Sequence, residues 1–474
     1  MEKKYITQKL IIKIVIVLLA IQCVFFAVAK HQIQYKQYNQ VVEQNSGNVG
    51  SIINESTIQQ TFKYSGDYIS KILIKVGTYQ RQNKGFLNIK LVEVQTGKEI
   101  YTKSQDISKL EDNSDMVLNV NSSLSNKNGQ YRLEITDSGL KEDNAITLYY
   151  NNSSIHHGSL YVNGVDIKNE LEMSIYGDNR RKLGNAYWLI VLVFDIAVVL
   201  VCEYQRTKEI KGRKGFLHSF LEIINTYKFM GKQLISRDFK TKYKRSVLGM
   251  LWSLLNPLLT MAVQYVVFST IFRSNIDNYP VYLLSASILF NFFTESVGGG
   301  LVSIVGNGSL IKKVNAPKYI YPITKVLSTG INLLISLIPL LVVVLITGEK
   351  ISISYVLIPF ALICLLIFCF GMSLILSSLM VYFRDVQFLW GILSLLWMYA
   401  TPMFYPASII PDRFKFVLTW NPMYHYITFF RTIILEATSP QLYEYVWCMV
   451  SSIFILIIGM LIFKKLEKKF ILYL

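Results

Sequence analysis

The sequence predicts a polytopic α-helical membrane protein that carries an inserted extracellular β-sandwich domain. The chain has 474 residues, 52% of them hydrophobic, and the apolar residues cluster into runs that approach the ~20 residues needed to cross a bilayer. A polar stretch, residues 31–183, separates the first two runs and holds 17 basic and 17 acidic residues. The formal charge of +17 therefore belongs to the other segments, where Lys and Arg flank the apolar runs as in cytoplasmic loops.

The same distribution argues against several other classes of protein. Because membrane topology accounts for the basic residues, we expect a membrane environment and no nucleic-acid partner. The five cysteines lie in or beside apolar runs, so no disulfide framework is indicated. The five histidines show no metal-ligand spacing on one element, and we expect no metal site.

Residues 1–30 form the first predicted element, an N-terminal transmembrane anchor. A basic flank precedes the apolar run, which places the N-terminus inside. The run ends in Ala27-Val28-Ala29, a pattern that also fits a signal-peptidase site, so cleavage is the alternative to a retained anchor. Either alternative places residues 31–183 outside.

Residues 31–183 contain short alternating segments such as KILIKVGTY, GFLNIKLVEV and QYRLEITDSG, separated by Gly, Asn, Asp and Ser. Regular short strands with turn signals predict an antiparallel β-sandwich. The domain is either purely structural or a carbohydrate-binding sandwich of the jelly-roll type. Tyr79, Tyr149 and Tyr150 are candidate sugar-stacking platforms, with burial in the sandwich core as the alternative.

Residues 184–203 form the second predicted transmembrane helix, which contains Asp195. A carboxyl group in a span faces protein or water, so Asp195 either bonds to a neighbouring helix or has a transport role. Residues 204–247 follow as a basic cytoplasmic linker and an amphipathic elbow helix. The elbow can place its cationic side chains against anionic headgroups and its apolar face in the leaflet.

Residues 248–474 contain six further hydrophobic segments, which brings the expected total to about eight transmembrane helices. Asn256-Pro257 lies near the start of the first, where the proline removes a backbone hydrogen bond. The fifth is expected to run from Phe388 to about Phe404. Between the fifth and the last, prolines interrupt an apolar stretch, which predicts two re-entrant outer half-helices.

Four motifs, in order and at matching spacing, carry a resemblance to a known family. They are SRDFKTKYKRSVLGMLWSLLNPLL, NGSLIKKVNAPKYIYPI, YFRDVQ, and TPMFYP followed by WNPMYH. The region from Phe216 to Leu474 resembles the membrane subunit of ABC-type exporters of lipid-linked polysaccharide, such as O-antigen, and of teichoic acid. The front of the chain departs from that pattern, because such permeases typically begin at the amphipathic helix.

The resemblance implies that two copies of the permease enclose the path of a polyprenyl-phosphate-linked glycan, and that the elbow and first inner loop rest on a separate ATPase. A solvated cytoplasmic anchor is the alternative role for these charges. Arg384-Asp385 either couples to the ATPase or closes a tight turn as a local ion pair. The implied coupling residues are Arg237, Asp238, Lys240, Tyr243, Leu310, Ile311, Lys312, Lys313, Pro317, Arg384 and Asp385.

The chain contains no GxxxxGK[ST] phosphate loop, so we expect no cofactor in this chain, and ATP with Mg on the partner. Aromatic faces suit sugar rings, although helix packing is the alternative role for each aromatic. Glu295 is expected to be a buried acid beside Gly298, Gly299 and Gly300. We hypothesise that this combination forms a gate. The channel candidates are Trp252, Tyr265, Phe290, Phe292, Phe293, Glu295, Trp390 and Tyr399, and the outer-gate candidates are Pro402, Phe404, Pro406, Asn421 and Pro422.

The expected function is export of a cell-surface glycan across the cytoplasmic membrane by a transport subunit that is not itself an enzyme. One alternative is a membrane-embedded glycosyltransferase, although that chemistry needs clustered acids and only scattered ones follow Gly184. The other is a surface glycan receptor, for which six further spans exceed what anchoring needs.

Overall fold

The protein is described by a computed structural model that covers residues 6–41, 46–124, 126, 128–152, 157–211, 213, 215–244, 248–272, 276, 278–314 and 316–474. The chain divides into two compact units. The helical unit consists of Met1–Gln32 and Ile190–Leu474, and the β-rich unit is Ile33–Leu189.

The β-rich unit contains two antiparallel sheets in its described residues. The first has the strand order β1-β14-β4-β10-β13, with β2 paired to β10 and both β7 and β8 paired to β4; the second has the order β12-β11-β3-β9-β5-β6. The strands are β1 Tyr35–Gln37, β2 Gly47–Asn48, β3 Thr57–Tyr64, β4 Tyr68–Gly77, β5 Phe86–Glu93, β6 Glu99–Asp106, β7 Ser114–Leu118, β8 Ser122–Ser123, β9 Gly129–Asp137, β10 Thr147–Asn151, β11 Leu160–Val162, β12 Val165–Asp166, β13 Glu170–Leu171 and β14 Met173–Arg180.

The two sheets share one apolar core. Buried residues alternate along β3 and β9, as expected for strands with one face inward. Phe62 from the second sheet and Ile74 from the first are fully buried in the same cluster. The β-rich character predicted from the alternating segments is confirmed, and the segments quoted from the sequence coincide with β4, β5 and β9.

The α-helices account for almost all of the helical unit, apart from α2, which belongs to the β-rich unit. Their bounds are α1 Gln8–Gln34, α2 Lys182–Asn185, α3 Tyr187–Ile210, α4 Phe216–Tyr243, α5 Trp252–Phe272, α6 Tyr279–Gly306, α7 Gly308–Lys313, α8 Ile320–Thr347, α9 Ile358–Tyr382, α10 Val386–Ala400, α11 Lys415–Trp420, α12 Pro422–Leu435, α13 Leu442–Leu466 and α14 Phe470–Tyr473. The largest core lies among α6, α8, α9, α12 and α13.

Seven helices in the described residues are long and apolar enough to cross a membrane, one fewer than expected. The prediction of a full span from Phe388 to Phe404 was wrong. Helix α10 has 15 residues, about 22 Å at 1.5 Å per residue, which is less than the ~30 Å hydrocarbon core. The helix ends because Thr401 precedes Pro402 and adopts an extended conformation, as residues before proline prefer.

Helices α1 and α3, which precede and follow the β-rich unit in the chain, contact each other and other helices of the helical unit. Gln22 of α1 donates a 2.8 Å hydrogen bond to the Asp195 carboxylate of α3. This confirms the interpretation of Asp195 as a residue that bonds to a neighbouring helix. The ring of Phe25 packs edge-on against Tyr445 of α13, with 5.0 Å between centroids. Helix α1 therefore contacts the main helices as well as α3.

Glycines set the spacing of the central helices α6, α9 and α13. A Cβ added to Gly371 of α9 would lie 2.6 Å from the backbone of Ile455, and one added to Gly459 would lie 2.5 Å from the carbonyl oxygen of Gly371. A Cβ on Gly300 of α6 would lie 2.4 Å from Ser373 Oγ. Of the three glycines beside Glu295, Gly300 thus permits close approach of two helices.

Candidate functional site

The helical unit has two polar ends, defined by opposite ends of α6. The elbow end contains the end of α6, the second half of α4, α7 and α14. The loop end contains the start of α6 and the segment 401–406. Most of the residues expected to function lie at one of these ends or in a cavity beside α4.

A separate apolar cluster, here called the elbow cluster, holds the elbow end together. Its buried members come from seven helices: Leu234, Ile304, Ile311, Ile320, Tyr321, Leu374, Val381, Phe463 and Phe470. Leu234 belongs to α4 and Ile311 to α7, the two elements that the sequence assigned to ATPase contact. Burial against the same neighbours means that a displacement of α4 or α7 disturbs the packing of α6, α8, α9 and α13.

Charged and polar groups complement this cluster. The guanidinium of Arg237 donates to Asp238 Oδ1 and to Asn307 Oδ1, each at 3.1 Å. Lys325 Nζ of α8 donates to Asp238 Oδ2 at 3.2 Å. The Asp238 carboxylate, 15% exposed, therefore lies between two cations, and the network joins α4 to α8 and to the junction of α6 and α7.

Tyr243 anchors the last turn of α4. Its hydroxyl donates to Asn332 Oδ1 of α8 at 2.9 Å and also contacts Ser253 Oγ of α5. Lys240, by contrast, is exposed. Of the predicted elbow residues, Arg237, Asp238 and Tyr243 thus make polar contacts within the chain, and Lys240 adds an exposed positive charge.

Helix α7 is amphipathic over six residues. Leu310 and Ile311 pack into the elbow cluster, whereas Lys312 and Lys313 are exposed. The Pro317 carbonyl accepts a 3.1 Å hydrogen bond from Ile320 N and so begins α8. Burial raises the pKa of the neighbouring Tyr319, and the carboxylate of Glu467 adds to the effect. The four predicted coupling residues of α7 thus divide into a buried pair, which anchors the helix, and an exposed cationic pair.

The turn between α9 and α10 does not contain the expected local ion pair. Arg384 Nη2 donates to the Tyr473 carbonyl at 3.4 Å, and no ion pair joins Arg384 to Asp385 in the described part of the chain. Backbone bonds close the turn instead, since the Asp385 carbonyl accepts from Phe388 N at 3.0 Å. The coupling role of the pair stays a prediction.

A cavity of about 310 Å³ lies among α4, α5, α6 and α8, and three channel candidates line it: Trp252, Phe292 and Glu295. The interpretation of Glu295 as a buried acid was wrong. Its side chain is 47% exposed, because it faces this open cavity, and it pairs with Lys242. A sequence pattern that placed Glu295 within an apolar helix gave no sign of the cavity beside it.

The other channel candidates do not gather at the cavity. Phe290, Phe293 and Trp390 are buried in the main core, where the ring centroid of Phe293 lies 5.6 Å from that of Trp390. The ring of Tyr265 packs against that of Tyr279, with 6.1 Å between the centroids, and Tyr399 is 60% exposed. Phe290, Phe293 and Trp390 therefore fit the alternative role, helix packing.

At the loop end, side chains satisfy four consecutive backbone carbonyls of segment 402–405. Arg431 of α12 donates to the carbonyls of Pro402 at 2.8 Å and Met403 at 3.0 Å. Tyr279 donates to Phe404 O at 2.7 Å, and Tyr282 donates to Tyr405 O at 2.8 Å. The Arg431 guanidinium also lies 3.3 Å from the centroid of the Tyr282 ring. Irregular backbone among apolar helices needs such partners.

The outer-gate candidates surround this segment. Asn421 Oδ1 accepts from Trp397 Nε1 at 2.8 Å and from Met423 N at 3.1 Å, and its amide donates to Thr401 Oγ1 at 2.9 Å. Pro422 occupies the first turn of α12, where its missing N–H costs nothing. Pro402 and Phe404 supply clamped carbonyls, and Pro406 follows them at the start of a 3₁₀ turn.

Sequence reasoning missed Arg431, Tyr279 and Tyr282. Arg431 stands alone among apolar residues in the stretch ITFFRTIIL. An isolated cation within such a helix indicates a specific partner set, so this signal was available. The partners themselves, backbone carbonyls from a distant loop, have no sequence signature.

In the β-rich unit, the three candidate tyrosines differ. Tyr79 is 44% exposed, with the Arg81 guanidinium 5.5 Å from its ring centroid and Ser51 Oγ 3.3 Å from its hydroxyl. Tyr149 is half-buried, and Tyr150 packs against the shared core. Tyr150 therefore fits the core alternative, whereas Tyr79 keeps an accessible ring face.

Comparison with known proteins assigns the class. Residues 231–435 match the model of the family described as ABC-2 type transporter. An O-antigen export system permease protein of Klebsiella pneumoniae is 31% identical over 264 residues, which are 55% of this chain and 97% of that protein. A protein of the same description from Myxococcus xanthus is 34% identical over 210 residues, 44% of this chain and 81% of that protein.

A polysialic acid transport protein of Escherichia coli is 21% identical over 238 residues, 50% of this chain and 92% of that protein. The fold and the matched region define a multi-pass permease subunit of the cytoplasmic membrane rather than an enzyme. The chain belongs to the ABC-2 type transporter family. The β-rich unit lies before the matched residues.

We expect the hydrogen bonds from Arg431 to the carbonyls of segment 402–405 to stabilise the folded state. In Arg431→Met, the carbonyls of Pro402, Tyr282 and Met403 lose a charged donor, and the Met403 carbonyl loses the one side-chain donor that it has among the described residues. An unpaired buried group costs about 1–3 kcal/mol, so the thermal midpoint of the detergent-purified protein should fall. Arg431→Lys should recover only part of the loss, because an ammonium is a single point donor.

Arg413→Met is the matched control, since the Arg413 side chain is exposed. Equal thermal midpoints of the Arg431→Met and Arg413→Met proteins would contradict a stabilising role of the Arg431 hydrogen bonds.

Proposed function

We propose that this chain is the membrane subunit of an ATP-driven exporter that moves a lipid-linked polysaccharide across the cytoplasmic membrane. Three named relatives export O-antigen or transport polysialic acid, which supports a glycan cargo. The observation that carries the proposal is the elbow cluster, because it connects a cationic surface on α4 and α7 directly to four long helices. A displacement of α4 or α7 by a bound partner would therefore move the membrane-spanning helices that pack against them.

The energy source in this proposal is a separate ATPase that binds ATP and Mg. The sequence contains no phosphate loop of its own. Lys240, Lys312 and Lys313 are exposed, and their anchoring neighbours are buried, so the surface is rigid and charged. An acidic face on the ATPase would complement these lysines and orient its docking.

The proposal includes a second copy of the chain, as the family resemblance implies. Helix α10 leaves a row of large apolar side chains exposed: Phe388, Leu389, Ile392, Leu393 and Leu396. A second copy would cover part of this surface, and lipid would cover the rest. The polyprenyl tail of the cargo would remain in contact with lipid while its sugars pass between the copies.

We also propose that the β-rich unit is an extracellular β-sandwich, tethered by a retained anchor, that contacts the exported glycan. Support comes from its chain connections, since α1 and α3 flank it and both are apolar enough to span the membrane. The exposed ring of Tyr79, with Arg81 beside it, offers a stacking face to a sugar.

Docking of the ATPase predicts a cross-linking pattern. In a Cys23→Ser background, chosen because the other four cysteines are buried, Lys312→Cys should cross-link to a co-purifying ATP-binding protein through a short bifunctional reagent. Lys350→Cys, which lies in the exposed segment after α8, is the control and should not cross-link. Labelling of Lys312→Cys by a membrane-impermeant reagent in intact cells would contradict this topology.

Glycan contact by the β-rich unit predicts saturable binding. Residues 33–189 have their own core, so we expect the isolated unit to fold and to bind fragments of the cell's own surface glycan in calorimetric titration. Tyr79→Ala should weaken binding by about tenfold, since stacking of one ring contributes ~1 kcal/mol or more, and should leave the melting curve unchanged.

Tyr161→Ala, on the partly buried strand β11, serves as the matched control. Absence of binding at millimolar fragment by a folded unit would leave the unit with a spacer or protein-docking role.

A further inference from the structure

The cavity beside α4 has a composition that selects its ligand. Its walls come from the end of α4, the first turns of α5, the middle of α6 and the middle of α8. The polar members are Lys242, Tyr243, Ser253, Asn256, Asn291, Glu295, Thr329, Asn332 and Ser336, and Trp252 adds an indole. A volume of about 310 Å³ is at the small end of ligand pockets, which span roughly 300–1,000 Å³.

The cavity offers no unpaired charge within the described residues. Its one lysine, Lys242, donates to its one carboxylate, Glu295. Both side chains are more than one-third exposed, at 41% and 47%, because they face the open space. A phosphate group would have to compete with Glu295 for the ammonium, so a neutral ligand fits the pair better than an anion.

Hydrogen bonds position one side of the cavity. Tyr243 connects Ser253 to Asn332 across α5 and α8. Pro257 has no N–H, so the Ser253 carbonyl one turn earlier lacks its helical partner and accepts from Ser336 Oγ at 3.4 Å. The loss of the backbone hydrogen bond expected at Pro257 thus has a local consequence, since the freed carbonyl links the start of α5 to α8.

Two amides of the cavity wall remain available. The side chains of Asn256 and Asn291 line the cavity, are exposed, and make no hydrogen bond to another side chain or backbone group in the part of the chain that the structure describes. Each amide offers two N–H donors and one acceptor oxygen. Trp252, 44% exposed, supplies an aromatic face within the same wall.

We propose that this cavity binds one sugar unit of the cargo, through amide hydrogen bonds to its hydroxyl groups and stacking on Trp252. The inference rests on the proposed function, because it assigns a place to the exported glycan. Hydroxyl groups both donate and accept, as a wall of amides and hydroxyls requires, and the apolar face of a sugar ring suits an indole. The cargo's phosphate would have to compete with Glu295 for Lys242, so the sugar binds here apart from the lipid-phosphate group.

The test measures protection of a thiol placed in the cavity of the full chain. Ser336→Cys in the Cys23→Ser background places a thiol at the wall, and its rate of reaction with a small methanethiosulfonate reagent is followed in detergent. The probes are glucose and N-acetylglucosamine, inorganic phosphate, and phosphatidylethanolamine in mixed detergent micelles. We expect at least one sugar to slow the reaction, and phosphate and the lipid to have no effect.

Variants of the two amides sharpen the result. Asn256→Leu and Asn291→Leu keep the side-chain size but remove the hydrogen bonds, and each should weaken protection by the sugar roughly fivefold. Asn88→Leu, at an exposed position of strand β5, is the matched control and should leave protection unchanged. Protection by phosphate or by the lipid without protection by sugar would overturn the proposal.

The outcome separates this inference from the proposed function. If the wild-type chain supports export of surface glycan in cells but no sugar protects the thiol, the cavity assignment fails alone. If cells depleted of the chain keep their surface glycan, the proposed function fails, whatever the protection assay shows.

Discussion

The close approach of α6, α9 and α13 is the constraint on which the helical unit depends. Gly300, Gly371 and Gly459 bring the backbones of these helices nearer than any side chain would permit. Within a membrane, lipid is as apolar as the helix surface, so dense packing of small residues replaces the hydrophobic effect as the main source of helix association. A rigid central group of helices follows, and each polar end of the unit is built on one end of α6.

The two ends are stabilised by interactions of different kinds. At the loop end, the Arg431 guanidinium donates to the carbonyls of Pro402, Met403 and Tyr282, so one side chain joins the irregular segment to α6 and α12. At the elbow end, the apolar packing of the elbow cluster and the Asp238 network join α4 to the long helices. The pair of Lys242 and Glu295 beside the cavity is substantially exposed, and such pairs contribute ~1 kcal/mol or less. A displacement of α4 therefore acts on the long helices through the packing of the elbow cluster rather than through this pair.

The sequence predicted those features that local periodicity determines. Alternation located β4, β5 and β9, apolar runs located the long helices, and the motifs of the second half identified the family. It failed where a distant segment decides the environment. Glu295 is exposed because a cavity opens beside it, Arg384 bonds to the Tyr473 carbonyl rather than to Asp385, and Arg431 finds two of its acceptors about thirty residues earlier. Helix α10 is shorter than predicted because Thr401, which precedes Pro402, is extended.

The most direct test of export is the amount and sidedness of the lipid-linked glycan after depletion of the protein from its own cells. Export by this chain predicts that the glycolipid accumulates, that membrane-impermeant oxidants cannot reach it in intact cells, and that it becomes reactive once the membrane is opened. Re-expression should restore the outer pool. Loss of the glycolipid altogether would indicate a role in synthesis, and an unchanged outer pool would indicate a receptor; either result would contradict export.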